Sequence, residues 1–144
     1  MNKIIVRQNL NCNLNKLWQA ITQKEQMKQW FFNEIIAFEP VEGFSTSFDV
    51  SFDGKTYTHL WTLLEVVPEE KIVYDWRYKG VPGHAKVTFE IEKTNNNSKI
   101  TLTHEVIEPF NSDDPAFTLE STKNGWKYFI QEALPEYLNN DTNH

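Results

Sequence analysis

Cysteine is nearly missing from this chain of 144 residues, with Cys12 standing alone. A single thiol excludes an intrachain disulfide and any multi-cysteine metal site. Long apolar runs are missing too. No stretch approaches the roughly 18 apolar residues of a membrane span, and the opening MNKIIVRQNL is too short and too polar to read as a secretory signal. Positive charge is in the minority, with 14 basic against 20 acidic residues and a net charge of −6. No run of Lys or Arg offsets this locally, which makes nucleic acid and anionic membrane poor partners. A cytoplasmic protein is the simplest expectation. Catalytic signatures are absent as well: no G-x-S-x-G, H-E-x-x-H, P-loop or Rossmann glycine fingerprint can be read.

What the chain has in excess is aromatic surface. Five Trp, five Tyr and ten Phe make 14%, within an otherwise ordinary composition of 40% hydrophobic and 24% charged residues. Such rings need volume, either in a core or around a cavity. The length fits one domain, expected over residues 1–138, with 139–144 as a polar, frayed tail.

Hydrophobic periodicity sets the order of elements. Residues 3–9 read as a strand. Asn13 then offers an N-cap to a helix with Leu14, Leu17, Trp18 and Ile21 on one face. Thr22 and Glu25 have the spacing of a capping box for a second short helix carrying Met27, Trp30 and Phe31. The two helices are expected near 14–21 and 23–32. The middle alternates as strands. Phe44, Phe48, Val50 and Phe52 share one parity, and Asp53-Gly54 is the pair preferred in a type I′ hairpin turn.

On the return strand, Tyr57, His59, Trp61 and Leu63 suggest one inward set and Leu64 and Val66 the other, which a bulge near 63–64 would reconcile. Ile72, Tyr74, Trp76 and Tyr78 then share a face. A loop at Pro82-Gly83 precedes Val87, Phe89 and Ile91, and a last strand places Ile100, Leu102, His104 and Val106 together. Asp114-Pro115 opens a helix expected to reach residue 138. Its stripe is Trp126, Phe129, Ile130, Ala133 and Tyr137, with Leu134 on the edge and Tyr128 outside. Gly125 is expected to let this helix approach the sheet, and Pro135 to loosen its final turn. The class is α+β: a curved antiparallel sheet packed against a long C-terminal helix.

Three stretches carry a family likeness: LWQAITQKEQMKQWFF at 17–32, EVVPEEKIVYDW at 65–76 and NGWKYFIQEALPEYL at 124–138. In this order and at these separations, the chain resembles the helix-grip superfamily that includes START lipid-binding domains and the birch-pollen allergen (SRPBCC). Within it, the chain is most similar to domains related to the activator of the heat-shock-protein-90 ATPase. The resemblance covers nearly the whole chain. It implies a six- to seven-stranded sheet gripping the last helix, with a cavity between them. It leaves function open, because lipid and hormone binders, polyketide cyclases and co-chaperone domains share this scaffold.

The candidate wall of that cavity is Trp30, Phe48, Tyr57, His59, Trp61, Tyr74, Trp76, Phe89, His104, Trp126, Phe129 and Ile130. His59 and His104 sit on apolar strand faces. A histidine so placed is more often a satisfied core residue, but it can also present a polar atom to a ligand in a greasy pocket. His84 is expected in solvent, together with Asp75 and Arg77, and Cys12 as a small, partly buried residue. No cofactor and no metal follow from these residues. Three functions compete: binding a small hydrophobic or aromatic molecule, interaction with a chaperone or another protein, and cyclase-like catalysis. The chain is expected to be a monomer or a homodimer.

Overall fold

The structure, a computed structural model, describes residues 3–142, with side chains through residue 139. Strand alternation produces a six-stranded sheet with one apolar face: β1 (Lys3–Leu10), β2 (Ser45–Phe52), β3 (Lys55–Val67), β4 (Lys71–Tyr78), β5 (Val81–Thr94) and β6 (Asn97–Glu108). The spatial order is β1-β6-β5-β4-β3-β2, and every neighbouring pair is antiparallel. β2 to β6 form a meander. β1 leaves through two helices, α1 (Leu14–Thr22) and α2 (Lys24–Trp30), and pairs with β6 at the far edge.

The turn chemistry is as expected at the first hairpin. Asp53 and Gly54 both have positive φ, 53° and 77°, as a type I′ turn demands. The β3 bulge is also present: the register passes from Leu63–Tyr74 to Glu65–Val73 and leaves Leu64 unpaired and exposed. Phe52 departs from expectation. It shares parity with the buried Phe48 but is 69% exposed, because it lies at the end of an edge strand beside the turn. Pro82 and Gly83 do not form a loop but lie inside β5, next to register shifts against both β4 and β6. A strand tolerates proline where its ladder is interrupted in this way. At Gly83 (φ 114°) an added Cβ would stand 2.4 Å from the Pro109 carbonyl oxygen, so the chain after β6 lies directly against this residue.

The helices show where local signals yielded to packing. Asn13 caps α1, its side chain accepting from the Lys16 amide at 2.8 Å. The Thr22–Glu25 capping box is not formed. Thr22 is the buried last residue of α1, and its hydroxyl donates back to the Trp18 carbonyl at 2.6 Å; Gln23 takes the cap position without a side-chain bond. Asp114 accepts from the Ala116 amide as expected, yet it opens only one 3-10 turn, Pro115–Phe117. Thr118 caps again, and α3 (Leu119–Tyr128) follows.

A π-turn, Phe129–Ala133, then leads into α4 (Leu134–Thr142), so the helical backbone continues past residue 138. Residues 143–144, the end of the expected tail, lie outside the described residues. The Leu134 amide reaches back five residues to the Phe129 carbonyl. This widening directly precedes Pro135, so the expected loosening sits before the proline and not in the final turn. It also moves the buried face. Trp126, Ile130, Leu134 and Leu138, spaced by four, are all buried, and Phe129, Ala133 and Tyr137 become half-buried flanks. In a regular helix a spacing of four drifts by about 40° per step; a wider turn absorbs that drift. Tyr128 points outward as expected. Gly125 is not a point of close approach, since a Cβ there would meet nothing within 4 Å.

Candidate functional site

Two consecutive residues decide how the concave face is filled. α2 ends at Trp30, and Phe31 and Phe32 turn into the space between sheet and C-terminal helix. Phe31 stacks on Trp30 with ring centroids 4.9 Å apart, meets Phe129 edge-on at 4.9 Å and lies 5.7 Å from Trp61. Offset and edge-on contacts of this kind add to the gain from burial alone. The deep half of the grip is therefore solid. Trp30, Phe48, Trp61, Tyr74, Phe89 and Ile130, expected on a cavity wall, belong to this packed block. Trp30 Nε1 donates to the Ala20 carbonyl at 2.8 Å, which ties the block to α1. Trp61 Nε1 and the Tyr74 hydroxyl are buried without a partner among the described residues.

Nearer the Tyr78 end of β4 the filling stops and a pocket of about 120 Å³ remains. Its walls are Phe32, Trp76, Tyr78, Trp126 and Phe129, its polar members are His59 and His104, and Ala116, Thr122 and Gly125 complete the lining. Five of the expected twelve residues thus come together: His59, Trp76, His104, Trp126 and Phe129. Both histidines are buried. His59 Nδ1 lies 3.1 Å from the Tyr57 carbonyl, and His104 Nδ1 accepts from the Trp126 indole N–H at 3.0 Å. Burial pushes both imidazoles down to about 4; for His59 the bond to Tyr57 offsets part of that effect. The Trp76 indole donates to the Tyr78 hydroxyl at 3.0 Å, and burial pushes that hydroxyl up to about 12.

Tyr57 stands outside this pocket, on open depressions of about 410 and 340 Å³ that it shares with Lys55 and Asp114. Its hydroxyl donates to Asp114 at 2.8 Å, and Lys55 approaches the same carboxylate at 3.3 Å. The Ala116 amide and the Tyr57 hydroxyl hold the Asp114 carboxyl below its usual range. Phe117 packs against Tyr57, Tyr78 and Phe110. The segment from Pro109 to Thr118 is therefore a strap, pinned by Asp114 and Phe117, that carries Ala116 to the pocket.

His84 corrects a solvent assignment: its Nδ1 lies 3.1 Å from Asp75, whose other oxygen accepts from Arg77 at 2.7 Å. Cys12 is buried beside Ser98, with Sγ 3.6 Å from Oγ, and burial raises its thiol. Among the described residues no group of three or more His, Cys, Asp or Glu is placed to hold a metal, and no helix is long and apolar enough to cross a membrane.

The sequence profile of the family described as Activator of Hsp90 ATPase homolog 1-like protein matches residues 11–139. The chain belongs to this family. No curated protein matches it. Solved structures share the fold of this AHSA1-family chain at low identity. A protein of Chromobacterium violaceum, CV1439, is 19% identical with a TM-score of 0.78, over 94% of this chain and 95% of its own. The Aha1 dimer of Colwellia psychrerythraea, solved in solution, is 19% identical with a TM-score of 0.67, over 91% and 92%. DynU16, from the dynemicin biosynthetic locus, is 19% identical with a TM-score of 0.77; the match takes in 96% of this chain but only 48% of DynU16. These likenesses show the helix-grip fold.

Phe32, Tyr78, Ala116, Thr122 and Gly125 line the pocket of this AHSA1-family protein and were not among the expected wall residues. Tyr78 had a legible signal, since it continues the inward parity of Tyr74 and Trp76. Ala116, Thr122 and Gly125 had none, because the strap and the first turns of α3 reach the pocket only through tertiary packing.

Proposed function

We propose that this protein acts as one cytoplasmic domain that binds a small aromatic molecule in the pocket beneath α3, between β3, β4, β6 and Phe129. One observation carries this reading: two buried histidines line an open pocket whose other walls are mainly aromatic rings. Binding sites typically combine apolar walls with a few fixed polar groups in this way. The size bounds the ligand. A pocket of about 120 Å³ lies below the roughly 300–1,000 Å³ of drug-sized sites, so a lipid or hormone would not be enclosed while Phe31 and Phe32 stay in place. DynU16, of the same fold, comes from a biosynthetic locus, a setting compatible with a small-molecule role on this scaffold. Titration with para-xylene, followed through the indole N–H signals, tests the reading. Trp126 and Trp76 are expected to shift, while Trp18 on α1, which does not line the pocket, stays fixed. Unmoved Trp126 and Trp76 signals at the solubility limit would overturn it.

A second reading, an interaction module for a chaperone or another protein, is supported by the family and by the dimeric Colwellia relative. It predicts a stoichiometric complex with an Hsp90-type chaperone, or a homodimer, in size-exclusion chromatography. Elution as a monomer apart from the chaperone counts against it.

A further inference from the structure

The hydrogen bonds of His59 and His104 fix opposite tautomers. A carbonyl can only accept, so His59 carries its proton on Nδ1, facing Tyr57, and its Nε2 is a bare acceptor. An indole N–H can only donate, so His104 Nδ1 is bare and its proton sits on Nε2. Among the described residues neither Nε2 has a protein partner. The two residues are only 5% and 3% exposed, yet neither Nε2 is among the enclosed atoms that lack a partner, so each keeps contact with the pocket that both residues line.

Tyr78 adds a third group. Its hydroxyl oxygen accepts from Trp76, which leaves its own proton to give. Tyr78 sits directly across from His59 on the neighbouring strand, with ring centroids 4.8 Å apart. One side of the pocket therefore offers an acceptor next to a donor. His104 offers a donor from β6, with β4 and β5 between it and β3.

We propose that the pocket selects a neutral, planar, single-ring molecule with a hydroxyl at one end and a hydrogen-bond acceptor at the other. The hydroxyl donates to His59 Nε2 and accepts from the Tyr78 hydroxyl; the far acceptor receives the His104 Nε2 proton. This rests on the binding reading above. No carboxylate or ammonium lines the pocket, and both imidazoles stay neutral well below pH 7, so a charged guest would lose its hydration without a counter-charge. The pocket is small and open: about 120 Å³, against the roughly 150 Å³ that holds benzene in a closed engineered cavity, so a single ring fills it and its substituents reach toward the mouth.

Four para-substituted benzenes test this at about pH 6, where a phenol of ordinary acidity is un-ionised: para-xylene, para-cresol, para-tolunitrile and para-hydroxybenzonitrile. Affinities are read from the Trp126 indole shift. Each polar group is expected to tighten binding about fivefold, so para-hydroxybenzonitrile binds tightest and para-xylene weakest. In His59→Phe the hydroxyl advantage shrinks, since only the Tyr78 bond remains, while the nitrile advantage over para-xylene persists. Equal affinities for all four, or any other order, overturn the inference while the pocket stands. Failure of all four to bind removes the pocket reading as well. The wild-type series decides the question even if the variant does not fold.

Discussion

Tyr74 and Trp61 hold buried polar atoms without partners among the described residues, and Tyr74 is fully enclosed. Burial strongly raises the Tyr74 hydroxyl, which therefore stays protonated and unpaired. An unsatisfied buried hydroxyl detracts from stability, whereas the ring beneath it contributes packing against Trp61 and Phe89. Tyr74→Phe is expected to leave stability unchanged or raise it by up to about 1 kcal/mol in urea unfolding. A clear loss would mean that the hydroxyl has a bound partner.

The two pocket histidines make stability depend on pH. Each is depressed in the fold, to about 4 from 6.5, so the unfolded chain takes up protons first as pH falls. Their contribution is complete above pH 6.5 and is lost on the way down to about 4, with a slope of up to ~1.4 kcal/mol per pH unit for each. Unfolding midpoints at neutral and mildly acidic pH check this. A flat profile across that window contradicts the neutral, buried assignment.

At the scale of elements, the C-terminal helix shows what local pattern does and does not reveal. Its amphipathic face was legible in Trp126 and Ile130, and Tyr128 was correctly left outside. The phase beyond Ile130 was not legible, because a regular helical wheel has no place for the π-turn at Phe129–Ala133. That turn moves Leu134 from the edge to the centre of the face. Leu134→Ala is expected to cost about 2–5 kcal/mol, and Tyr128→Ala within about 0.5 kcal/mol of nothing, both by chemical denaturation. Similar losses at the two positions would contradict the observed phase.

The strap after β6 depends on one glycine of β5. Ala at Gly83 would put a Cβ onto the Pro109 carbonyl and strain a φ of 114°. Gly83→Ala is expected to destabilise by roughly 2–4 kcal/mol and to raise hydrogen exchange in residues 109–118. Normal stability with an unchanged strap contradicts the close approach.

On the scale of the whole molecule, the meander and the gripped helix were readable because alternation, turn pairs and caps all acted locally and agreed. The cavity is smaller than the sequence suggests, for a tertiary reason. Phe31 and Phe32 follow a helix end whose path the sequence does not specify; Phe31 fills the deep half of the grip and Phe32 walls it off from the pocket. Of the expected wall, the part nearest the strap stays open, with His59 and His104 on it. Most of the aromatic excess is therefore core, and a minority of it surrounds one small pocket.

The long-range ¹H–¹⁵N spectrum of the histidine side chains at neutral pH, recorded with and without para-hydroxybenzonitrile, tests that pocket most directly. His59 is expected as the Nδ1–H tautomer and His104 as the Nε2–H tautomer, both neutral, with both Nε2 signals moving when the ring binds. Identical tautomers, a charged imidazole, or Nε2 signals indifferent to the ring would contradict the site described.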